Sequence, residues 1–285
     1  MMLAGLAIMI VSQAATLAGI EPFAAWNTPI CWTGFILFAD AIVYRARGNS
    51  WLRSSPREFA ALALVSIPLW VVFEGYNLVI RNWIYVGLPE NPALRLFGYA
   101  WSFATISPAI FEGAELASLA RRRAGTAGGG DGSSSSPPAL PAPPGLRGSD
   151  AAAMAIGASM LVLPLLAPSA IAPYLAAPVF LGFIILLDPI NRRLGEETLT
   201  GERTINLLLS GLLCGVLWEF WNYWSRAKWI YTVPIMQQWK IFEMPLPGYL
   251  GFPPFAVECF TMYVFVRALY ASLTSERQRG RTIAL

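Results

Sequence analysis

The chain has 285 residues, of which 56% are hydrophobic and only 13% are charged, and its mean hydropathy is +0.53. These values differ strongly from those of a soluble domain and predict an integral membrane protein. The absence of histidine excludes imidazole catalysis and histidine metal ligands, and the net charge of +3 comes without the basic cluster that typifies a nucleic-acid-binding protein.

Eight apolar segments follow one another along the chain, each long enough or nearly long enough to cross a bilayer. They are approximately 3–19, 29–44, 59–80, 101–120, 151–169, 174–190, 205–224 and 253–270. Between the fourth and the fifth, residues 124–150 are a tract rich in Gly, Ser and Pro. Such a tract cannot bury a core, so we predict a disordered linker between two groups of four segments.

Sequence matches between the two groups predict an internal duplication. The stretch from Gly34 to Asp40 corresponds to the stretch from Gly182 to Asp188, and the pair Pro108 and Glu112 corresponds to Pro254 and Glu258. We therefore predict an all-α, polytopic membrane protein of about eight transmembrane helices, arranged as two parallel four-helix repeats. The repeats would cover 1–123 and 151–273, followed by a tail at 274–285.

The distribution of basic residues predicts the orientation. Of the 20 Lys and Arg residues, fifteen lie in the tail and in the loops after the second, fourth and sixth segments, and five lie on the other side. The positive-inside rule thus predicts a multi-pass protein of the cell membrane with both termini in the cytoplasm. Because each group has an even number of segments, both groups enter the membrane in the same direction, as parallel repeats do.

One motif marks the end of the third segment in each group. It comprises Glu74, Asn77, Arg81 and Trp83-Ile84-Tyr85 in the first copy, and Glu219, Asn222, Arg226 and Trp229-Ile230-Tyr231 in the second. Offsets of three and seven residues place the acid, the amide and the guanidinium on one helix face. Since the repeats are parallel, both stripes should face the same, non-cytoplasmic side.

Acidic residues inside apolar segments require an explanation, because an unpaired Asp at a helix centre costs roughly 2.5–3.5 kcal/mol. The candidate catalytic acids and bases are Glu74, Glu219, Glu112 and Glu258. The third and fourth segments of each group are antiparallel neighbours, which should bring Glu74 towards Glu112 and Glu219 towards Glu258.

Four polar residues of the motif are expected to orient these acids: Asn77, Asn222, Arg81 and Arg226. The alternative is a purely structural clamp, in which the arginines neutralise the carboxylates and the amides bond across helices.

Aromatic side chains surround the motif, although an interfacial belt explains most of the tryptophans. The candidate substrate-binding rings are Phe73, Tyr76, Trp218, Trp221, Trp83, Trp229, Tyr85 and Tyr231. A protonated carboxyl in a dry aromatic pocket is suited to protonating an alkene, and the ring faces then stabilise the carbocation. Such a site acts on a hydrophobic small molecule or a lipid, and it needs no metal or other cofactor.

These features resemble the membrane-bound lycopene cyclases of the heterodimeric type and the small membrane terpene cyclases. The similar residues are Trp218-Glu219, Trp229-Ile230-Tyr231 and Pro254 to Glu258, with Glu74, Trp83-Ile84-Tyr85 and Pro108 to Glu112 in the other half. The resemblance implies an isoprenoid or carotenoid cyclase or isomerase that uses proton-initiated carbocation chemistry.

Two other functions fit the same residues. Duplicated bundles with intramembrane acids are typical of proton- or ion-coupled small-molecule transporters. A lipid-binding membrane protein without catalytic activity is the other alternative. A closed apolar cavity with facing carboxyls favours the cyclase, whereas a polar path that reaches both sides favours the transporter.

Overall fold

The computed structural model describes residues 1–127 and 148–273. These residues form nine α-helices and two small two-stranded sheets. The helices are α1 (Met2–Leu17), α2 (Phe23–Arg47), α3 (Trp51–Ser54), α4 (Pro56–Ile80), α5 (Pro92–Ala127), α6 (Gly148–Leu166), α7 (Ala176–Arg193), α8 (Gly201–Trp224) and α9 (Phe252–Leu273). The strands are β1 (Trp83–Val86), β2 (Lys228–Tyr231), β3 (Lys240–Ile241) and β4 (Met244–Pro245).

Five helical stretches are long and apolar enough to cross a membrane: α2, α4, α6, α8 and Leu246–Leu273, which includes α9. Helix α1 is apolar but shorter. The predicted helical class is confirmed, and these stretches indicate a membrane protein.

Both ends of the predicted linker, 124–150, are helical in the structure. Residues 124–127 continue α5 and residues 148–150 begin α6, where Asp150 pairs with Arg192 at 3.1 Å. The prediction for 128–147 and for the tail at 274–285 lies outside the described residues.

Close glycine contacts join the first two helices of each half. A Cβ built on Gly5 of α1 would lie 2.5 Å from the carbonyl oxygen of Gly34 in α2. A Cβ built on Gly157 of α6 would lie 2.9 Å from the carbonyl oxygen of Gly182 in α7. Gly34 and Gly182 are matched residues of the two groups, so both helix pairs use the same small-residue crossing.

The centre of the bundle is formed by α4, α5, α8 and α9. The α1–α2 pair packs against α5 and against α8 of the other half, while the α6–α7 pair packs against α9 and against α4 of the other half. Each outer pair therefore bridges both halves.

Strands β1 and β2 join the halves at one end of the bundle, which we call the strand end. They pair antiparallel, with Ile84 opposite Ile230 and Trp83 opposite Tyr231. The sequence-based prediction of an all-α chain treats both segments as loops, whereas the structure shows them as strands. Their aromatic and β-branched residues favour strands, but the partner of each strand comes from the distant copy of the motif.

The opposite end of the bundle, which we call the arginine end, is held by ion pairs and loop anchors. Arg47 pairs with Glu115, and Arg267 pairs with Glu196 at 2.6 Å. Asp40 accepts a hydrogen bond from the Leu52 N–H at 2.9 Å, and the matched Asp188 accepts one from the Leu199 N–H at 3.1 Å. Both aspartates therefore anchor the loop that follows their helix.

Candidate functional site

A cavity of about 440 Å³ lies at the strand end between the two halves. Small-molecule sites typically have volumes of about 300 to 1,000 Å³, so the cavity falls in their range. Six of its lining side chains are indoles: Trp26, Trp32, Trp70, Trp83, Trp218 and Trp229. The wall is thus rich in aromatic side chains, and both halves contribute to it.

Glu74 lies behind this wall and accepts three hydrogen bonds on one carboxyl oxygen. The donors to Oε1 are the indole of Trp70 at 2.8 Å, the indole of Trp83 at 3.2 Å and the hydroxyl of Tyr85 at 2.6 Å. Trp70 precedes Glu74 by one turn of α4, while Trp83 and Tyr85 project from the same face of β1 because strand residues alternate. None of these bonds requires Glu74 to hold a proton.

Glu219 occupies the matched position but has a different environment. Its Oε1 accepts a hydrogen bond from the Tyr231 hydroxyl at 2.8 Å, and the indole of Trp229 donates to that hydroxyl oxygen at 2.8 Å. Glu219 is fully buried, and its Oε2 has no hydrogen-bond partner among the described residues. The two halves therefore present related carboxyl–phenol pairs in unequal surroundings.

The two phenols separate the carboxyls from the cavity. Tyr85 and Tyr231 line it, whereas Glu74 and Glu219 are not among its lining residues. Burial, reinforced by the Glu219 carboxylate, raises the pKa of Tyr231 well above its ordinary value of 10. Burial and the Glu74 carboxylate likewise raise the pKa of Tyr85. Both phenols therefore remain neutral at physiological pH.

Asn77 and Asn222 position the strands instead of the carboxyls. Asn77 accepts from the Trp83 N–H at 3.2 Å and donates to the Trp83 carbonyl at 2.8 Å. Asn222 does the same to Trp229, accepting at 3.0 Å and donating at 2.9 Å. Each amide thus sets the backbone position of the tryptophan that begins the Trp-Ile-Tyr motif.

The prediction that Arg81 and Arg226 orient the acids is wrong. Arg81 is exposed, and its left-handed backbone (φ 52°) caps the end of α4. Arg226 pairs with Glu21 at 2.7 Å. The prediction assumes that the helical stripe continues to the arginines, but α4 ends at Ile80 and α8 ends at Trp224. Beyond these points, helical spacing no longer determines where a side chain lies.

The predicted meeting of Glu112 and Glu258 with the other two acids is also not observed. Glu112 is fully buried beside Asp40 of α2, and Glu258 is fully buried beside the Phe183 backbone of α7. The fourth helices of the two groups therefore direct these acids towards α2 and α7.

Five of the eight predicted substrate-binding rings line the cavity: Trp83, Trp218, Trp229, Tyr85 and Tyr231. Phe73 lies behind the wall, stacked on Phe180 with ring centroids 5.3 Å apart. Trp221 meets Trp32 edge-on at 4.8 Å. The Tyr76 hydroxyl donates to the Leu161 carbonyl at 3.0 Å, away from the cavity.

Several residues of the wall are not among those predicted from the sequence. The indoles of Trp26 and Trp32 come from the start of α2, and Asn82 immediately precedes Trp83. Phe180 and Phe255 come from α7 and α9. The position of Asn82 next to the repeated motif is the one sequence signal that could have found any of them.

No protein-family model matches the chain, and searches of curated proteins and of solved structures find no match.

Proposed function

We propose that the protein is an isoprenoid cyclase or isomerase that uses proton-initiated carbocation chemistry. The observation that carries this proposal is the pair of carboxyl–phenol contacts, one from each half, at the wall of one aromatic cavity. The resemblance of the motifs to those of membrane-bound lycopene and terpene cyclases agrees with it.

In this mechanism Glu219 supplies the proton. It contacts the Tyr231 hydroxyl and has a buried oxygen without a partner among the described residues, whereas Glu74 already accepts from three donors. A protonated Glu219 donates to the Tyr231 oxygen, which leaves the phenol proton free to turn towards the cavity. Tyr231 then protonates an alkene carbon and receives the proton of Glu219.

Ring closure follows without another reactant. A second double bond attacks the cation, a carbon–carbon bond forms, and the positive charge moves along the chain beside the indole faces. A proton leaves the adjacent carbon and passes through Tyr85 to Glu74, which regenerates a double bond. Substrate and product are isomers, and proton transfer from Glu74 back to Glu219 resets the site.

The cavity supports this function better than ion-coupled transport. Along α5, Ile106 lines the cavity and Glu115 pairs with Arg47 at the arginine end. Ala109, Ile110 and Phe111, which lie between these positions, are buried apolar residues. These three residues form one apolar layer between the cavity and the buried carboxyl of Glu112.

We further propose that the eight long helices form two parallel repeats that span the membrane, with the arginine end in the cytoplasm. The matched glycine crossings and the pairing of β1 with β2 support this arrangement. A green fluorescent protein fused to the C-terminus should fluoresce, and an alkaline phosphatase fused there should be inactive. The reverse pattern would overturn the orientation.

Expression of the full chain in bacterial hosts that accumulate lycopene or other polyprenoids tests the catalytic proposal. We expect a product of unchanged mass and altered retention in the lipid extract. Glu219→Gln should reduce product formation by a factor of about 10² or more, the typical contribution of a general acid, while membrane insertion persists.

Glu258→Gln is the matched control, because it alters an equally buried carboxyl that does not contact a cavity phenol. It should retain product formation. Wild-type product formation by Glu219→Gln, or no new product in any polyprenoid host, would refute the proposal.

A further inference from the structure

Seven residues belong both to the wall of the cavity and to the exposed surface of the protein, and we call them the rim. Arg95 is the only one of the seven that carries a charge. Four are large hydrophobic residues whose exposed fractions lie between 39% and 78%. A cluster of exposed apolar residues marks contact with a membrane or with another protein. The rim consists of Leu94, Arg95, Tyr174, Ala177, Ile235, Pro247 and Leu250.

Three rim residues lie in the segment 232–251, which connects β2 to α9. The matched stretch of the first half has the same length, but most of it belongs to α5. The second half does not form a helix here, because Pro245 and Pro247 lack the backbone N–H that a helix interior requires. The segment folds instead into β3, β4 and a 3₁₀ helix, and its Met244 and Leu250 line the cavity. The cavity is therefore bounded on this side by an irregular segment and not by a helix.

The outer side of the segment 232–251 is also apolar. Met236, Trp239 and Ile241 are exposed and are not among the residues that line the cavity. Lys240 stands between Trp239 and Ile241 in the sequence. Tryptophan and lysine beside exposed aliphatic side chains are typical of the boundary between lipid and water. The segment thus has the composition of a surface that lies at the edge of a bilayer.

Another part of the rim, at the start of α5, has the same character. Leu94, Leu96 and Phe97 are exposed, so apolar side chains project from more than one side of this helix. An exposed helix that is apolar on several sides is typical of a membrane and not of water. The Arg95 guanidinium donates to the Pro89 carbonyl at 3.1 Å, so it extends back beyond the start of the helix. Long basic side chains near a helix end extend towards the polar interface of a membrane in this way.

Lipid fits the rim better than water or a second copy of the chain. Pro247 and Leu250 belong to the stretch Leu246–Leu273, which is long and apolar enough to cross a bilayer. Such a stretch contacts lipid through its exposed residues, so lipid covers this part of the rim without any further partner. A second copy would have to displace that lipid, and apolar burial supplies little driving force for this inside a membrane.

We propose that the rim lies within the bilayer leaflet at the strand end, and that the cavity receives its ligand sideways from the lipid. The ligand is then an apolar molecule dissolved in the membrane, and it reaches the aromatic wall without passing through water. This inference rests on the membrane class of the protein and not on the proposed reaction. It adds a route of entry, which the proposed function leaves open.

The reactivity of an introduced cysteine tests the position of the rim in the full chain in lipid nanodiscs. A charged, water-soluble methanethiosulfonate is the reagent, and the native cysteines are buried. Gly201→Cys is the control, because Gly201 is exposed at the arginine end and nothing lies within 4 Å of the position that its Cβ would occupy. We expect Leu250→Cys to react at least about tenfold more slowly than Gly201→Cys, since a thiolate is disfavoured in apolar surroundings.

A photoreactive aliphatic diazirine dissolved in the same bilayer tests the route, with adducts located by mass spectrometry. We expect adducts on Ile106 and Phe255, which are buried residues of the cavity wall. Leu250→Arg should reduce these adducts by a factor of about 10, because an apolar probe must then pass a charged group. Leu246→Arg is the matched control, since Leu246 is an exposed leucine of the same segment that is not among the lining residues, and it should retain the adducts. Adducts on the exposed Leu64 of α4 should stay constant in both variants and so report membrane insertion.

Fast modification of Leu250→Cys would place the rim in water and overturn the inference. Slow modification without adducts on Ile106 and Phe255 would mean that another protein surface, such as a second copy, covers the rim, and would overturn it as well. Equal losses of cavity adducts in the two arginine variants, or no loss in either, would exclude the rim as the entrance. Cavity adducts that depend on Leu250, without any cyclised product, would support the inference and count against the catalytic proposal.

Discussion

Tyr85 and Tyr231 are matched residues whose carboxyl partners differ in their hydrogen bonds. Tyr85 shares Glu74 Oε1 with two indoles, whereas Tyr231 donates to Glu219 and itself receives an indole N–H. If one carboxyl is to act as the acid and the other as the base, their environments must differ. Part of this asymmetry is a sequence difference, since the position four residues before the acid is Trp70 in the first motif and Gly215 in the second. The rest arises from side-chain geometry, since the indole of Trp83 donates to Glu74 whereas that of Trp229 donates to Tyr231.

Tyr231→Phe tests the relay at this scale. It keeps the ring in the wall but removes the hydroxyl between Glu219 and the cavity, so we expect product formation to fall by a factor of about 10² or more. Product per amount of folded, membrane-inserted protein is the measurement. Tyr76→Phe serves as control, because its hydroxyl bonds to Leu161 outside the cavity, and equal losses in both variants would argue against a relay.

At the scale of elements, the site depends on where helices end and strands begin. Asn77 and Asn222 hold the tryptophans that open the Trp-Ile-Tyr segments of β1 and β2, and the strands then place Tyr85 and Tyr231 beside Glu74 and Glu219. The motif is therefore a helix–turn–strand unit and not one helical stripe. Close helix crossings, such as that of α1 with α2 at Gly5 and Gly34, hold the outer helices against each other.

Gly5→Ala tests the crossing of α1 and α2. The added Cβ would lie 2.5 Å from the Gly34 carbonyl oxygen, so the helices must separate, and we expect a loss of about 1–3 kcal/mol in the free energy of unfolding. Gly75→Ala is the matched control on α4, because nothing lies within 4 Å of the position that its Cβ would occupy. It should be neutral or stabilising by up to about 1 kcal/mol, since alanine favours a helix. Thermal unfolding in detergent compares the two variants, and equal stability would contradict the close crossing.

At the scale of the whole molecule, the cavity exists because the two halves interlock. Each outer helix pair packs against a central helix of the other half, and β1 pairs with β2. Antiparallel pairing of two equivalent strands about Ile84 and Ile230 is the arrangement that a twofold axis produces. Neither half alone could enclose the aromatic wall, to which both contribute.

A cross-link between the halves tests this arrangement. Ile84→Cys combined with Ile230→Cys places two cysteines opposite each other in an antiparallel pair, within disulfide range. The native cysteines are buried, so background oxidation should be low. With a protease site inserted within 128–147, the cleaved fragments should migrate as one species on a denaturing gel until a reductant is added. The pair Ile84→Cys and Leu194→Cys should give two separate fragments on the same gel, and separate fragments from the first pair as well would refute the strand pairing.

The sequence by itself determined the membrane class, the positions of the apolar helices and the matched motifs. It also identified five rings of the cavity wall, because hydropathy and residue spacing are local properties. The tertiary structure decided that the Trp-Ile-Tyr segments pair as strands, that Arg226 binds Glu21, that Glu112 and Glu258 turn towards α2 and α7, and that Asn82 lines the cavity. Each of these outcomes depends on a partner distant in the chain. Helical periodicity predicts the direction of a side chain only within the helix, whereas packing between the two halves determines which residues that side chain contacts.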